Sequence, residues 1–276
     1  MMVKTMAILR RNLLNFSRDR MRMVGSFVMS FFFLFIFSFV MKSSVAGRIS
    51  QPMDYLICGV VIMTVFQQAL NNSTSILDDI ANGFMKEILV SPISRYEISI
   101  GQVLSSAVIA TIQGLIVLTA GLFMGLHMDV PHFLSMVGIM AVAGLTFGSV
   151  GLFIAMVAKG SSAFQILSAV LVMPLTFLSG AYIPTTVMPK FLLPVIYINP
   201  LTYITSVFRF VAMGMENIPA AQLVGEGVAF DIGGLVITPQ LGLMIIIAIG
   251  LCFFALCVRK FSQADFSVVK TFRHFH

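Results

Sequence analysis

Few residues in this sequence have the types and spacing that chemistry needs. His127 and His132 flank a short turn that also carries Asp129 and Pro131. A bound transition metal takes three or four protein ligands in fixed geometry, and two histidines on a turn arise readily by chance, so no metal site is expected. No G-x-x-x-x-G-K-[ST] loop is present to cradle nucleotide phosphates. No nucleophile, base and orienting group fall together either, so the chain is not expected to be an enzyme. No Asp, Glu, Lys, Arg or His sits in the middle of a long apolar run, which argues against coupling to a proton or sodium gradient, because such coupling needs an ionisable group inside the membrane. What remains is ILDDIANGFMKEILVSPISRYEISIG, from Ile76 to Gly101, the densest mixture of acids and bases in the chain. If the protein does uphill work, the energy must enter from another chain.

The elements that position this segment follow from composition. The 276 residues are 58% hydrophobic and 10% charged, with mean hydropathy +1.00, whereas soluble domains carry about a quarter charged residues. The chain therefore reads as an all-α polytopic membrane protein. Its net charge of +6 comes from bases beside apolar runs, not from a basic domain, so no nucleic acid is expected as a partner. Cys58, Cys252 and Cys257 all lie in apolar runs, and no structural disulfide is expected. Ser44-Val45-Ala46 vaguely resembles a cleavage site. The 19 charge-free residues Met23 to Met41 and the 22 before them are nevertheless too long for a signal peptide, so this run is read as a retained span.

A helix needs about 20 apolar residues to cross the hydrocarbon core. Charge-free windows give six: Met23 to Met41, Tyr55 to Leu77, Ile98 to Leu126, Phe133 to Ala158, Gly160 to Pro189, and Pro239 to Val258. A seventh window, Phe191 to Phe208, is broken by Pro194 and Pro200 and reads as short re-entrant helices, because proline removes a backbone donor and disfavours helix just before it. With six crossings and a cytoplasmic N-terminus, 13 of the 17 Lys and Arg residues fall in cytoplasmic segments, the expected bias of positive charge. Only Lys42, Arg48, Lys190 and Arg209 are then external. Both termini are expected in the cytoplasm of a cell with the chain in its plasma (inner) membrane. Residues 1–22 place Met6, Leu9, Leu13 and Phe16 at spacings of three and four among bases. They read as an interfacial helix reaching toward anionic membrane lipid, or else as a basic tail that only sets topology. Residues 259–276 form the other cytoplasmic tail.

Within the mixed-charge segment, Ile80, Phe84 and Ile88 repeat every four residues, with Asp78, Asp79, Asn82, Lys86 and Glu87 between them. This pattern predicts an amphipathic helix of about three turns, with Asp78 and Asp79 at its N-terminal end and Ser91-Pro92 closing it. Ser94 and Glu97 have the spacing of a capping box for the next helix. Such a unit either receives a soluble partner or lies on the interface without one.

The string from Asp78 to Gly101 resembles the first cytoplasmic loop of the type-2 ATP-binding-cassette (ABC-2) export permeases, in which E-x-L-x-S-P-x-x-R-x-E-x-x-x-G recurs. Here Gly83, Glu87, Leu89, Ser91, Pro92, Arg95, Glu97 and Gly101 match. FLSGAYIP, ending at Pro184, and YINPLTYITSVFR, ending at Arg209, are similar to the end of the family's fifth helix and its external re-entrant segment. The resemblance covers essentially the whole chain and comes closest to short drug-exporting members. It implies a coupling loop at 78–97, with Asp79, Ile80, Gly83, Phe84, Glu87, Ile88, Ser91, Pro92, Arg95 and Glu97 seated on a separate ABC ATPase. It also implies an external re-entrant gate within 184–238 and just before it, with Gly180, Pro184, Asn199, Pro200 and Tyr203. ATP and Mg would bind the ATPase, present in two copies, and this chain would hold no cofactor. A second permease, identical or homologous, would complete a dimer that exports outward. The chain departs from the family pattern at Asp78-Asp79, at Phe84 and at Gln102, which bears on charge pairing with the ATPase.

Gln67, Asn71 and Thr74 share one face of the second span and Gln68, Asn72 and Ser75 the next. They either line a substrate path, together with Phe31 and Phe35 of the first span, or bond across helices. Gly121-x-x-x-Gly125 and Gly144-x-x-x-Gly148 suit close helix packing. With 26 Phe, five Tyr and no Trp, the chain favours a hydrophobic or amphipathic cargo (drug, antibiotic or lipid-like molecule) over a glycan. The alternatives are export of a glycolipid or polysaccharide and, from another class, a membrane scaffold or enzyme without transport.

Overall fold

Tyr55 to Phe66 forms an unbroken buried run, including the small residues Cys58 and Gly59. A helix buried all round must lie at the centre of a bundle, and in the computed structural model it does. The structure describes residues 2–44, 51–85, 93–126, 128–158 and 160–263. In chain order the helices are α1 (Met2–Arg18), α2 (Arg20–Ser44), α3 (Pro52–Asn71), α4 (Thr74–Ala81), α5 (Arg95–Phe123), α6 (Val130–Val157) and α7 (Ser161–Phe177). Two 3-10 turns, Thr185–Val187 and Lys190–Leu192, lead to α8 (Leu193–Ile198), α9 (Pro200–Ala212) and α10 (Ala220–Gly225). A hairpin of β1 (Phe230–Ile232) and β2 (Leu235–Ile237) precedes α11 (Pro239–Gln263). The chain is an all-α integral membrane protein apart from this small hairpin, which the sequence did not announce.

The helices α2, α3, α5, α6, α7 and α11 overlap the six charge-free windows in order. Four long apolar stretches, Pro52–Ala81, Arg95–Phe123, Val130–Val157 and Pro239–Phe261, are sufficient to cross a bilayer. The segments Lys4–Arg18 and Met23–Phe39 bend by 69°, so α1 leaves the axis of α2 as a surface helix does. The fifth window is corrected: its helix stops at Phe177 and does not continue to Pro189. Pro174 lies inside α7, and Gly180 at φ +78 turns the chain back, since a left-handed backbone ends a helix at little cost only in glycine. At 17 residues, α7 sits at the short end of what spans about 30 Å.

Close approach of backbones holds α5 and α6 together. A Cβ at Gly144 would fall 2.7 Å from Ala107 Cα, and one at Gly148 would fall 2.9 Å from Ser106 Cβ, so only glycine fits at this seam. The Gly121 half of the other pair packs likewise on Ile57, where a Cβ would fall 2.5 Å away, whereas Gly125 meets open space. Where lipid replaces water outside, such small-residue contacts are a main source of helix association.

Candidate functional site

The α4–α5 end of the bundle is built from a helix that continues α3 past a short break. Asn72 is 3% exposed and donates to Ser106 Oγ on α5 at 3.1 Å, which fixes the direction in which α4 leaves. The three-turn amphipathic helix expected from Asp78 onward does not form as one piece. α4 stops at Ala81, and Gly83 adopts φ +79. Asn82-Gly83 is a helix stop, with the Gly83 N–H donating to Ile80 O at 3.2 Å. Asp78 and Asp79 therefore lie in the second half of a helix, not at its start. Among the matched positions, Glu87, Leu89, Ser91 and Pro92 lie outside the described residues, as does Ile88 of the expected coupling face.

What the structure does bring together is a clamp on this turn. Arg11 of α1 forms an ion pair with Asp79, and its guanidinium stands 4.9 Å from the centre of the Phe84 ring. Asn12, next in sequence and 3% exposed, donates to Gln102 Oε1 and, at 2.8 Å, to Ser105 Oγ on α5. Ile8 fills the space that a side chain at Gly101 would need. α1 thus faces the bundle with Thr5, Ile8, Asn12 and Phe16, all at most 9% exposed. Of the expected apolar face only Phe16 lies on this side; Met6 is exposed, and Leu9 and Leu13 are half-buried on the neighbouring one. On the far side of the turn, Ser94 Oγ accepts from Glu97 N at 3.2 Å and a Glu97 carboxylate oxygen accepts from Ser94 N at 2.8 Å, the capping box that the spacing predicts. Arg95 donates to Phe261 O of α11 at 2.8 Å, and Asp78 accepts from Ser161 Oγ at 3.2 Å. Phe84 itself remains 38% exposed. Asp79, Phe84, Arg95 and Glu97 thus stand on a small framework tied to α1, α5 and α11, and Asp78 reaches α7.

The residues named for a path do not converge. Gln68 and Asn72 are buried, whereas Gln67 is half-buried and Asn71 is exposed. Thr74 Oγ1 donates back to Asn71 O at 2.7 Å. Ser30 of α2 meets Thr64 of α3 at 2.9 Å and Leu34 is buried, so that face of α2 looks inward. Phe31 and Phe35, 39% and 65% exposed, are turned away from it. Bonding across helices therefore accounts for Asn72, and the structure does not collect Gln67, Asn71, Thr74, Phe31 and Phe35 around one space.

The other end carries the expected bent pair: Lys190–Ile198 and Pro200–Ala212 meet at 87°. Asn199 makes the corner, with its Oδ1 accepting from Leu201 N at 2.9 Å and its Nδ2 donating to Leu175 O of α7 at 2.8 Å. Pro200 begins α9, where a missing N–H costs nothing, and Tyr203 Oη donates to Tyr197 O. A Cβ at Gly180 would meet Thr185 at 2.8 Å, just beyond the Pro184 bend. This region also holds a residue whose role sequence reasoning missed: Arg209, counted only as a charge on the external side, is 1% exposed. Its Nε donates to Tyr55 O at 3.2 Å and its Nη2 to Ala181 O at 2.7 Å, and its guanidinium lies 3.3 Å from the centre of the Tyr55 ring. Two backbone oxygens and an aromatic face hold this cation between α9, α3 and the turn after α7. The usable signal was a single base ending a helix whose preceding eight residues are all apolar, aromatic or small hydroxyl.

His132 Nε2 lies 3.2 Å from a Glu216 carboxylate oxygen, and His127 lies outside the described residues. Among the described residues no three His, Cys, Asp or Glu side chains are placed to share a metal.

A bundle of apolar helices, a charged turn tied to a surface helix at one end and a bent helix pair at the other define a polytopic membrane transport protein. Residues 3–213 match the family described as ABC-2 type transporter, and the chain belongs to that family as a membrane permease subunit of an ABC transporter. It is similar to the inner membrane transport permease YadH of Escherichia coli strain K12, with 24% identity over 179 residues that cover 64% of this chain and 70% of YadH. It is also similar to the putative transport permease ycf38 of Pyropia yezoensis, 30% identical over 155 residues (54% of this chain, 52% of that one). The probable multidrug ABC transporter permease YbhR of E. coli K12 is 27% identical over 153 residues, 54% of this chain and 41% of YbhR. Permeases of this family work with an ABC ATPase partner.

Proposed function

We propose that this permease exports a hydrophobic or amphipathic cargo outward across a plasma or inner membrane, driven by two ATPase subunits that each seat on the turn between α4 and α5 of one permease in a pair. The observation that carries the reading is the exposed Phe84 on a turn whose neighbours are bound to three other helices, by Arg11–Asp79, Arg95–Phe261 and Asp78–Ser161. Ties to three helices give a push on Phe84 from a soluble subunit a route into the spans. The names of YadH and YbhR support the membrane and the cargo class respectively. The phenylalanines on the outer side of α2, with Phe32, Phe35 and Phe39 at 54%, 65% and 60% exposure, support an apolar surface for a second permease and for such a cargo.

The test is to tag the full chain, solubilise it gently from its native membrane and identify what accompanies it in stoichiometric amount. The wild type is expected to bring an ATPase, and Phe84→Glu, a change on an exposed ring, is expected to lose it while keeping the same melting behaviour. Wild-type protein that brings no ATPase in any of several mild detergents would defeat the reading.

A further inference from the structure

Between α1, α2 and α5 runs an apolar groove of about 630 Å³, lined by Met6, Leu9, Leu13, Met23 and Ile112, with Arg10 at its edge. We propose that this groove is a binding site for one anionic phospholipid, with an acyl chain along the groove and the phosphate on Arg10.

Depth is the first argument. About 20 residues counted back from Phe123 put the hydrocarbon boundary on α5 near Leu104. Asn12 of α1 bonds to Ser105, one residue further on, so α1 crosses α5 at that boundary. Ile112 lies about 12 Å deeper along the helix. One end of the groove is therefore at the level of lipid headgroups and the other is in hydrocarbon, as the two ends of a phospholipid are.

Charge is the second. Arg10 is exposed, and among the described residues no carboxylate pairs with it, whereas Arg11 beside it is committed to Asp79. Arg18 and Arg20, both exposed, flank the exposed Asp19 at the corner between α1 and α2 and leave a net positive charge there. The Ser17 hydroxyl in the lining already donates to Leu14 O at 2.9 Å and asks for nothing. A neutral apolar occupant would leave Arg10 unused, and a soluble partner does not reach Ile112. The site depends on the chain being a membrane protein and not on any ATPase, so its test stands apart from the co-purification above.

Full-length permease, with whatever subunit accompanies it, is titrated in mild detergent with phosphatidylglycerol and with phosphatidylethanolamine of identical chains, and retained lipid is read by native mass spectrometry. Wild type is expected to retain phosphatidylglycerol about fivefold better, the contribution of one base near an anionic headgroup. Arg10→Gln is expected to erase that preference, while Arg259→Gln, an equal loss of charge on α11, leaves it. Ile112→Trp, which fills the groove, lowers retention of both lipids; Leu9→Trp repeats the test from the other wall should the first variant fail to fold. Equal retention of the two lipids by wild type, or an unchanged preference in Arg10→Gln, would overturn the proposal.

Discussion

Arg11 and Arg209 are the same side chain in opposite circumstances. Arg11 pairs with Asp79 at the surface, the two side chains 25% and 16% exposed. Arg209 is sealed between α3 and α9, held by two backbone oxygens and an aromatic ring. An exposed or half-exposed ion pair is screened and easily exchanged, so it contributes little stability and allows movement. A buried guanidinium has lost its water and depends on the few acceptors around it, so moving it means leaving them unpaired in a dry interior. The comparison teaches that the α4–α5 end is built to be adjusted while the α8–α9 end is keyed in place.

The largest effect that would break this comparison is at Arg209. Arg209→Ala takes the side-chain donor from Ala181 O and the second donor from Tyr55 O and opens a hole, an expected loss of about 3 kcal/mol or more, visible as poor membrane yield and a lowered melting midpoint in detergent. Arg209→Lys should recover only part, because a single ammonium cannot reproduce a guanidinium fork. A normal yield and melt for Arg209→Ala would mean the keyed end is not keyed.

Two glycines sharpen the contrast at smaller scale. A Cβ at Gly59 would come within 2.0 Å of Ala181 O and 3.0 Å of Arg209 Nη2, whereas one at Gly83 meets nothing within 4 Å. Gly59→Ala should cost about 1–3 kcal/mol through overpacking, measured by the same melt. Gly83→Ala carries only the strain of its positive φ, about 1–2 kcal/mol, and its effect belongs in ATPase coupling more than in stability. The smallest change in stability is expected at the surface pair. Arg11→Gln alone should shift stability by about 1 kcal/mol yet reduce permease-stimulated ATPase activity, and the swap Arg11→Asp with Asp79→Arg should restore it. Failure of the swap to restore activity would show that Arg11 acts through Phe84 and not through the carboxylate.

Much of the fold is legible in the sequence because a bilayer leaves few options: charge-free length gives the helices, and the prolines at 194 and 200 give the bend between α8 and α9. The Ser94–Glu97 cap is legible because it is wholly local. Misreadings arise where tertiary partners decide. Asn12 carries no signal in the sequence, because its partners, Gln102 and Ser105, are some 90 residues away. Gly83 reads as the interior of a helix because Ile80, Phe84 and Ile88 keep their period across it, and hydrophobic period does not register a left-handed backbone. Charge counts Arg209 as one more external base, and charge carries no information about its burial against the carbonyls of Tyr55 and Ala181. Phe31 and Phe35 have the same composition as the inward Phe33 and Phe37, and only the Ser30–Thr64 contact reveals which side faces α3.

The hairpin before α11 has a consequence for how the molecule is handled. Its strands pair only with each other, its tip is Gly233-Gly234 at φ +62 and +94, and residues 231–235 are all exposed. An epitope spliced between those two glycines would hang from the exposed tip of the hairpin, beyond Phe230, whose ring packs on Tyr203, giving a flag by which intact cells, without permeabilisation, would reveal which way the permease is inserted.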